Sequence, residues 1–401
     1  MRRHASSTVR RALRGQRRGL LALVLALGAS AAAADVLPDE RADVMWKTYS
    51  GGGLKVRGPS VLVRQNFSDK VSVSAGYLVD QVSGASIDMI VIGASPGGLH
   101  EVRKQKSLGL AYLDGKTMYT AGIENSIEND YDSSTANVGI SQDLFGDLTT
   151  VTLSASRGWD LITRIIDSAH HKDPKFHDRL DRKTWALGVS QILTRNLVSG
   201  FDYEAITEQG YLQNPYRKIR YLAFPGSTLY LLADEVYPRT RTTNAVALRL
   251  KYYLPWHASV TGKYRYFFDT WSIRAQTAEL GYTQPLFHDS VITDITYRHY
   301  KQNAASFYSD LFQVANQQNY MARDRELAAQ RNNSVGAALT WDFVKTRHWY
   351  VKKASFSLHF DYIQYRYDDF RDASQHQYAA GFEPLYHYNA TVAQAFFSVY
   401  Y

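Results

Sequence analysis

The stretch Lys70-Val71-Ser72-Val73-Ser74-Ala75-Gly76-Tyr77-Leu78-Val79-Asp80 decides the fold. Successive side chains of a strand point to opposite sides, so Val71, Val73, Ala75, Tyr77 and Val79 share one face. Lys70, Ser72, Ser74, Gly76 and Asp80 share the other. A half-buried soluble sheet writes the same local pattern. Repetition separates the two cases. Thr149, Val151, Leu153 and Ala155 alternate with Thr150, Thr152, Ser154 and Ser156, and Trp185, Leu187 and Val189 alternate with Ala186, Gly188 and Ser190. Val246 to Tyr252, Val291 to Tyr297 and Phe356 to Tyr362 repeat the pattern, with Arg249, Lys251, Asp294, Arg298, His359 and Asp361 on the polar side. Each segment is long enough for the roughly 9 to 11 residues of a tilted membrane strand.

About sixteen such segments start near residues 43, 60, 71, 106, 117, 134, 148, 183, 197, 243, 258, 274, 290, 333, 354 and 389. The two at the front, around Gly51-Gly52-Gly53 and Pro59, are the weakest, which leaves fourteen as the alternative. Tight turns at Ser68-Asp69, Asp114-Gly115, Phe145-Gly146, Thr194-Arg195 and Pro255-Trp256 interleave with long connections near 82–105, 159–181, 208–241, 302–331 and 367–388. That parity predicts an all-β chain: a transmembrane antiparallel β-barrel with short periplasmic turns, long extracellular loops and both termini in the periplasm. Trp256, Trp341 and Trp349 fall at expected periplasmic strand ends and Trp159, Trp185 and Trp271 at outer ends, as two interfacial girdles would require. Ala393, Ala395, Phe397, Val399 and Tyr401 form a last stripe ending on an aromatic, the kind of closing strand read by the outer-membrane assembly machinery.

Residues 1–34 read as a cleaved secretory signal, with Arg2, Arg3, Arg10, Arg11, Arg14, Arg17 and Arg18 before the apolar run Leu20 to Leu27 and Ala32-Ala33-Ala34. Residues 35–401 then form one barrel domain in the outer membrane of a Gram-negative cell, in contact with its lipids and lipopolysaccharide. The signal holds seven of the 46 Lys and Arg residues, so 39 remain against 38 Asp and Glu. A nucleic-acid footprint, which needs clustered cations on the working domain, is therefore not expected. With no Cys, the chain has no disulfide framework, no thiolate metal site and no lipoprotein anchor. No later apolar run reaches the roughly 18 residues of a membrane-spanning helix. The 29 Tyr, 17 Phe and 7 Trp suit a wall that is apolar outside and polar inside.

Several blocks together resemble the bacterial domain of unknown function 3570 family. They are Asp35-Val36-Leu37-Pro38, Ser50-Gly51-Gly52-Gly53, Gly58-Pro59-Ser60-Val61, Ser141 to Asp147, Arg157-Gly158-Trp159-Asp160, Val236 to Arg241, Phe307 to Phe312 and Ala322 to Leu327. The resemblance spans essentially the whole chain after the signal. It implies a barrel-like fold in the outer membrane and supplies no catalytic residue. It also implies gene neighbours for extracytoplasmic flavin attachment or a small lipoprotein, hence a periplasmic lipoprotein as a candidate partner.

No catalytic, cofactor or metal site is expected. His170, His171, Asp173, His177 and Asp178 are the densest set of metal-ligand types, but adjacent histidines in a loop lack the i, i+4 helical spacing that aims two rings at one ion. His359 and Asp361, two residues apart on one face, match two members of a hydrolase triad without any nucleophile motif. The informative set is the inward charges: Asp202 and Glu204 on one strand, Arg249 and Lys251 on the next, Lys263 and Arg265 after that, then Glu279, Asp294 and Arg298, with His359 and Asp361 further on. In a pore such charges bias ion passage; in a closed barrel they pair across strands. The loop blocks Tyr237 to Arg241 and Asp310 to Glu326 hold aromatic and paired charged residues, with a helix-like stretch around Ala322 to Ala329. The expected function is a channel or transporter for small hydrophilic solutes. The competing expectation is a non-conducting scaffold for a periplasmic lipoprotein or redox partner, favoured if loops insert and charges pair across the lumen.

Overall fold

The computed structural model describes residues 36–84, 99–166, 170–344 and 350–401. The signal segment and Trp349 lie outside the described residues. Sixteen antiparallel strands close on themselves: β1 (Arg41–Gly51), β2 (Leu54–Ser68), β3 (Val71–Gly84), β4 (Leu99–Asp114), β5 (Thr117–Ile127), β6 (Tyr131–Leu144), β7 (Thr149–Ile165), β8 (Lys172–Thr194), β9 (Leu197–Gly210), β12 (Thr240–Tyr253), β13 (Ser259–Asp269), β14 (Arg274–Leu286), β15 (Val291–Gln302), β16 (Gln330–Val344), β17 (Lys353–Arg371) and β18 (Leu385–Tyr400). The pair β10 (Lys218–Leu222) and β11 (Tyr230–Asp234) forms a separate hairpin inside the β9–β12 connection. The weakest expected strands, β1 and β2, are complete, and β1 closes the ring on β18 from Arg41 opposite Tyr400 to Gly51 opposite Ala390. Sixteen, not fourteen, is the count.

Period-two alternation fixes which face meets which medium, since a one-residue slip would invert every side chain. Val61, Leu108, Leu153, Leu248, Ile295 and Phe360 point outward and are between 41 and 58 % exposed. A continuous apolar band of that kind is costly in water and is what lipid covers. Among the described residues, the connections β2–β3, β4–β5, β6–β7, β8–β9, β12–β13 and β14–β15 at the end bearing the termini are tight turns. At the β4–β5 turn Gly115 adopts φ +60°, a left-handed conformation that a residue without Cβ reaches at no steric cost.

The connection expected over 159–181 is shorter than that. Strands β7 and β8 run on as a paired ribbon through Thr163 opposite His177, leaving only the short link around His170 and His171. The extension has charged rather than apolar alternation, so it carries no membrane-strand signature. The stretch around Ala322 to Ala329 is likewise not a helix: a single 3-10 turn, Arg325–Leu327, is capped by Asp324, whose carboxylate accepts from the Glu326 amide. Trp271, expected in an outer girdle, is instead buried at 3 % exposure in the β13–β14 turn. Trp159, Trp185, Trp256 and Trp341 remain outward and exposed.

Candidate functional site

At the end opposite the termini, three connections fold over one another: residues 211–239, 303–329 and 372–384. Their backbones are zipped together. Leu222 donates to the Phe312 carbonyl at 2.9 Å and Phe312 to the Arg220 carbonyl at 3.0 Å; Val236 and Met321 exchange both bonds at 3.0 and 2.9 Å. Segments bonded like strands lose their freedom together, which makes this a folded cap rather than a set of independent loops.

The cap core begins on the barrel wall at Ile162 of β7 and Leu180 of β8, and continues through Leu212, Tyr237, Trp271 and Phe307 to Leu327. Tyr237 and Phe307 each meet Trp271 edge-to-face, the arrangement favoured by aromatic quadrupoles, and tilt 60° to one another, with all three centroids 5.1–5.5 Å apart. The next residue, Ala328, packs with Tyr367 and Phe370 of β17. In the ring order β7 and β17 are eight strands apart, on opposite sides of a sixteen-stranded barrel. Packed protein therefore crosses the lumen from wall to wall at the loop end.

Buried charge fastens this layer. Arg220 of β10 is fully buried; it pairs with Asp310 and Glu383 and donates from Nε to the Asp310 carbonyl at 2.9 Å. Arg323 donates to the same carboxylate at 3.1 Å and to the Arg371 carbonyl at 3.0 Å, its guanidinium 4.5 Å from the Phe370 ring. A second cluster joins Arg217 and Asp324 to Glu235, which accepts from the Arg323 amide at 2.7 Å and the Tyr237 hydroxyl at 3.0 Å. Burial, reinforced by the neighbouring Asp324 carboxylate, pushes the Glu235 carboxyl up to about 8 against the pull of Arg217. Tyr216 ties the cap to the wall, accepting from the Ile165 amide and donating to Asp130, each at 2.8 Å. Asp130 lies with Glu101 and Glu128, their carboxylate oxygens within 4.8 Å of one another. None of these groupings was visible in the sequence, because each joins residues from segments far apart in the chain.

The inward charges expected from the sequence all lie opposite the outward apolar positions of their own strands. Register brings them into rows: Arg249 stands opposite Lys263, Lys263 opposite Glu279, and Glu279 opposite Arg298. The bases Arg249 and Lys263 thus stand side by side on β12 and β13, between the acids Asp202 and Glu204 of β9 and Glu279 of β14, with Arg298 beyond. Arg265 reaches Glu204 at 3.4 Å, and Asp294 accepts from Thr283 at 2.5 Å. Asp202 extends toward Gly188, while Lys251 is directed past Tyr253, 5.3 Å from its ring. Most of these side chains are half-buried, in contrast to the buried charges of the cap.

His359 and Asp361 are not brought together as a catalytic pair. The His359 ring packs edge-on to Phe396 at 5.3 Å, and the Asp361 carboxylate lies over Gly336 beside Thr296. The histidine-rich set is also dispersed: Asp173 pairs with Arg164, Asp178 with Arg239, and His177 is exposed on β8.

Among solved structures, the fold is similar to a bacterial polysaccharide outer membrane secretin (TM-score 0.50, 8% identity, covering 91% of this chain and 100% of that one). It is also similar to OccD3 of Pseudomonas aeruginosa (0.44, 8%, 92% and 93%) and to OccK2 of Pseudomonas aeruginosa in complex with glucuronate (0.42, 8%, 91% and 99%). At such identities the likeness concerns the fold, that of outer-membrane barrels. No curated protein matches the chain. The model of the family described as protein of unknown function DUF3570 matches residues 87–398, and the chain belongs to that family.

Proposed function

We propose that this protein is an outer-membrane channel for small hydrophilic solutes, closed at its loop end by its own folded cap, and that passage requires the cap to loosen. The observation that carries this reading is the contrast between two levels of the lumen. Arg249, Lys263, Glu279 and Arg298 are half-exposed at mid-barrel, as in a solvated passage, whereas packed side chains from β7 to β17 cross the lumen beyond them. Sixteen-stranded barrels are wide enough for an aqueous lumen. No step of the reading calls on an enzymatic activity.

The scaffold reading has its own support in the fully buried Arg220 and the zipped backbones, features that suit a permanent plug. Osmotic swelling of proteoliposomes separates the two. With neutral sugars outside, wild-type vesicles swell slowly, and vesicles bearing Arg220→Ala combined with Arg323→Ala swell at least several times faster. If the variant folds, shown by heat-modifiable migration on a gel, and its vesicles still exclude the sugars, the channel reading fails and the scaffold stands.

A further inference from the structure

On the outward face of three consecutive strands cations line up, with a histidine beside them on the fourth. Lys301 of β15 stands directly opposite Arg331 of β16, Arg331 opposite Arg366 of β17, and Arg366 opposite His387 of β18. All four side chains are exposed. Directly opposed residues of antiparallel strands hold their Cβ atoms about 4.5–5.5 Å apart, and like charges so placed repel. Among the described residues Asp368, which accepts from Arg331 at 2.9 Å, is the one carboxylate on the outward faces of these strands. The row is therefore short of anions. The fold does not demand such a row for facing water: β9 and β12 present Thr207, Gln209, Thr242 and Asn244 toward the same end. The cationic sector continues past β1 with exposed Lys55 and Arg57 on β2 and Lys104 and Lys106 on β4.

What lies beneath the row gives the partner its shape. One step down each strand the outward residues are His299, Asn333, Gln364 and Asn389, all polar. Two steps further come Ile295, Ala337, Phe360 and Ala393, an apolar surface with small residues flanking a large one. Cations, then neutral hydrogen-bonding groups, then hydrocarbon is the complement of a lipid with phosphates, sugar and acyl chains in that order. Arg guanidinium binds phosphate in a bidentate fork and is only weakly hydrated, so it suits a site at the edge of a membrane.

We propose that the outward face of β15–β18 is a binding site for a phosphorylated glycolipid of the outer leaflet. Its phosphates engage Lys301, Arg331 and Arg366, and its acyl chains lie over Ile295 and Phe360. The site rests on the outer-membrane reading with the loop end outermost, but not on conduction.

The test is native mass spectrometry of the folded full-length barrel in detergent with bisphosphorylated lipid A, with the same lipid dephosphorylated, and with inorganic phosphate. Wild type is expected to retain lipid A, to retain the dephosphorylated lipid at least tenfold less, and to keep its lipid in excess inorganic phosphate. Replacing Lys301, Arg331 and Arg366 together by Gln should weaken retention at least tenfold. If that variant does not fold, Arg366→Gln alone should weaken it about threefold. Equal retention by variant and wild type, equal retention of the dephosphorylated lipid, or displacement by inorganic phosphate, which would mark a small-anion site, overturns the proposal. A barrel that binds lipid A yet passes no solute would refute the channel and leave this site standing.

Discussion

Arg220 Nη2 donates to Glu383 Oε2 at 3.2 Å across 163 residues of sequence, and both side chains are buried. Removing one member of a buried pair leaves the other uncompensated, at a cost of about 3–5 kcal/mol. Arg220→Ala should therefore strand the Glu383 carboxylate, leave Asp310 with Arg323 as its one cation among the described residues, and loosen the cap while the sixteen-strand wall persists. Limited proteolysis should show it: cleavage within 211–239 and 303–329 at least tenfold faster than in wild type, with heat-modifiable migration retained. Protection equal to wild type would mean that the ion pair does not hold the cap.

Glu235 makes the closed cap sensitive to alkali. Its carboxyl moves from the ordinary 4.5 up to about 8 when buried in the cap. A raised carboxyl binds its proton more tightly in the closed state, so closure is strongest below the ordinary value. It weakens as pH climbs, and the contribution is lost above about 8, at about 1.4 kcal/mol per unit. Hydrogen exchange at the Arg323 amide, corrected for intrinsic rate, should show protection falling as pH rises from the ordinary 4.5 to about 8 and levelling off above that. Glu235→Gln should flatten that slope; an unchanged slope would assign it to another group.

How much of this was legible beforehand follows from where each signal resides. The strands were readable because alternation is local: Val71 to Val79 declares its faces without reference to any other segment. The extension of β8 through Lys175, His177 and Arg179 was not, since these residues face outward and the apolar Phe176 and Leu180 inward, the reverse of a membrane strand, which reads as a loop until β7 is seen beside it. Inward charges such as Arg249 and Lys263 could be assigned a face, whereas the juxtaposition of Lys263 with Glu279 needed the register. The cap was opaque because its contacts join Arg220 to Asp310 and Glu383, and Val236 to Met321, across spans that no pattern in the chain records. Trp271 misled for the same reason: a Trp at a strand end reads as an interfacial anchor until the chain around Tyr237 and Phe307 closes over it.

Gly58 has a task in the barrel wall. A Cβ there would run into the Val79 carbonyl and come within 3.2 Å of the Asp80 Cα, backbone atoms that cannot turn aside. Gly58→Ala should destabilise the barrel by about 1–3 kcal/mol through overpacking. Gly262→Ala, with nothing within 4 Å of the new methyl, should be neutral or slightly favourable. Urea unfolding of the two variants in the same lipid or detergent checks the contrast, and equal midpoints would contradict it.

The mid-lumen row should set selectivity once the cap is open. In the Arg220→Ala background, Arg249→Glu combined with Lys263→Glu replaces two cations facing the lumen by two anions, and the reversal potential in a salt gradient should move toward cation preference. No shift would place the path of ions away from these residues.

Single-channel recording in a planar bilayer tests the central claim most directly, with the wild-type barrel and the Arg220→Ala, Arg323→Ala barrel compared at the same voltage and salt. A closed cap over a solvated lumen predicts long silent periods in wild type and frequent, stable conductance steps in the variant. Large steady conductance in wild type, or silence from a folded variant, would contradict it.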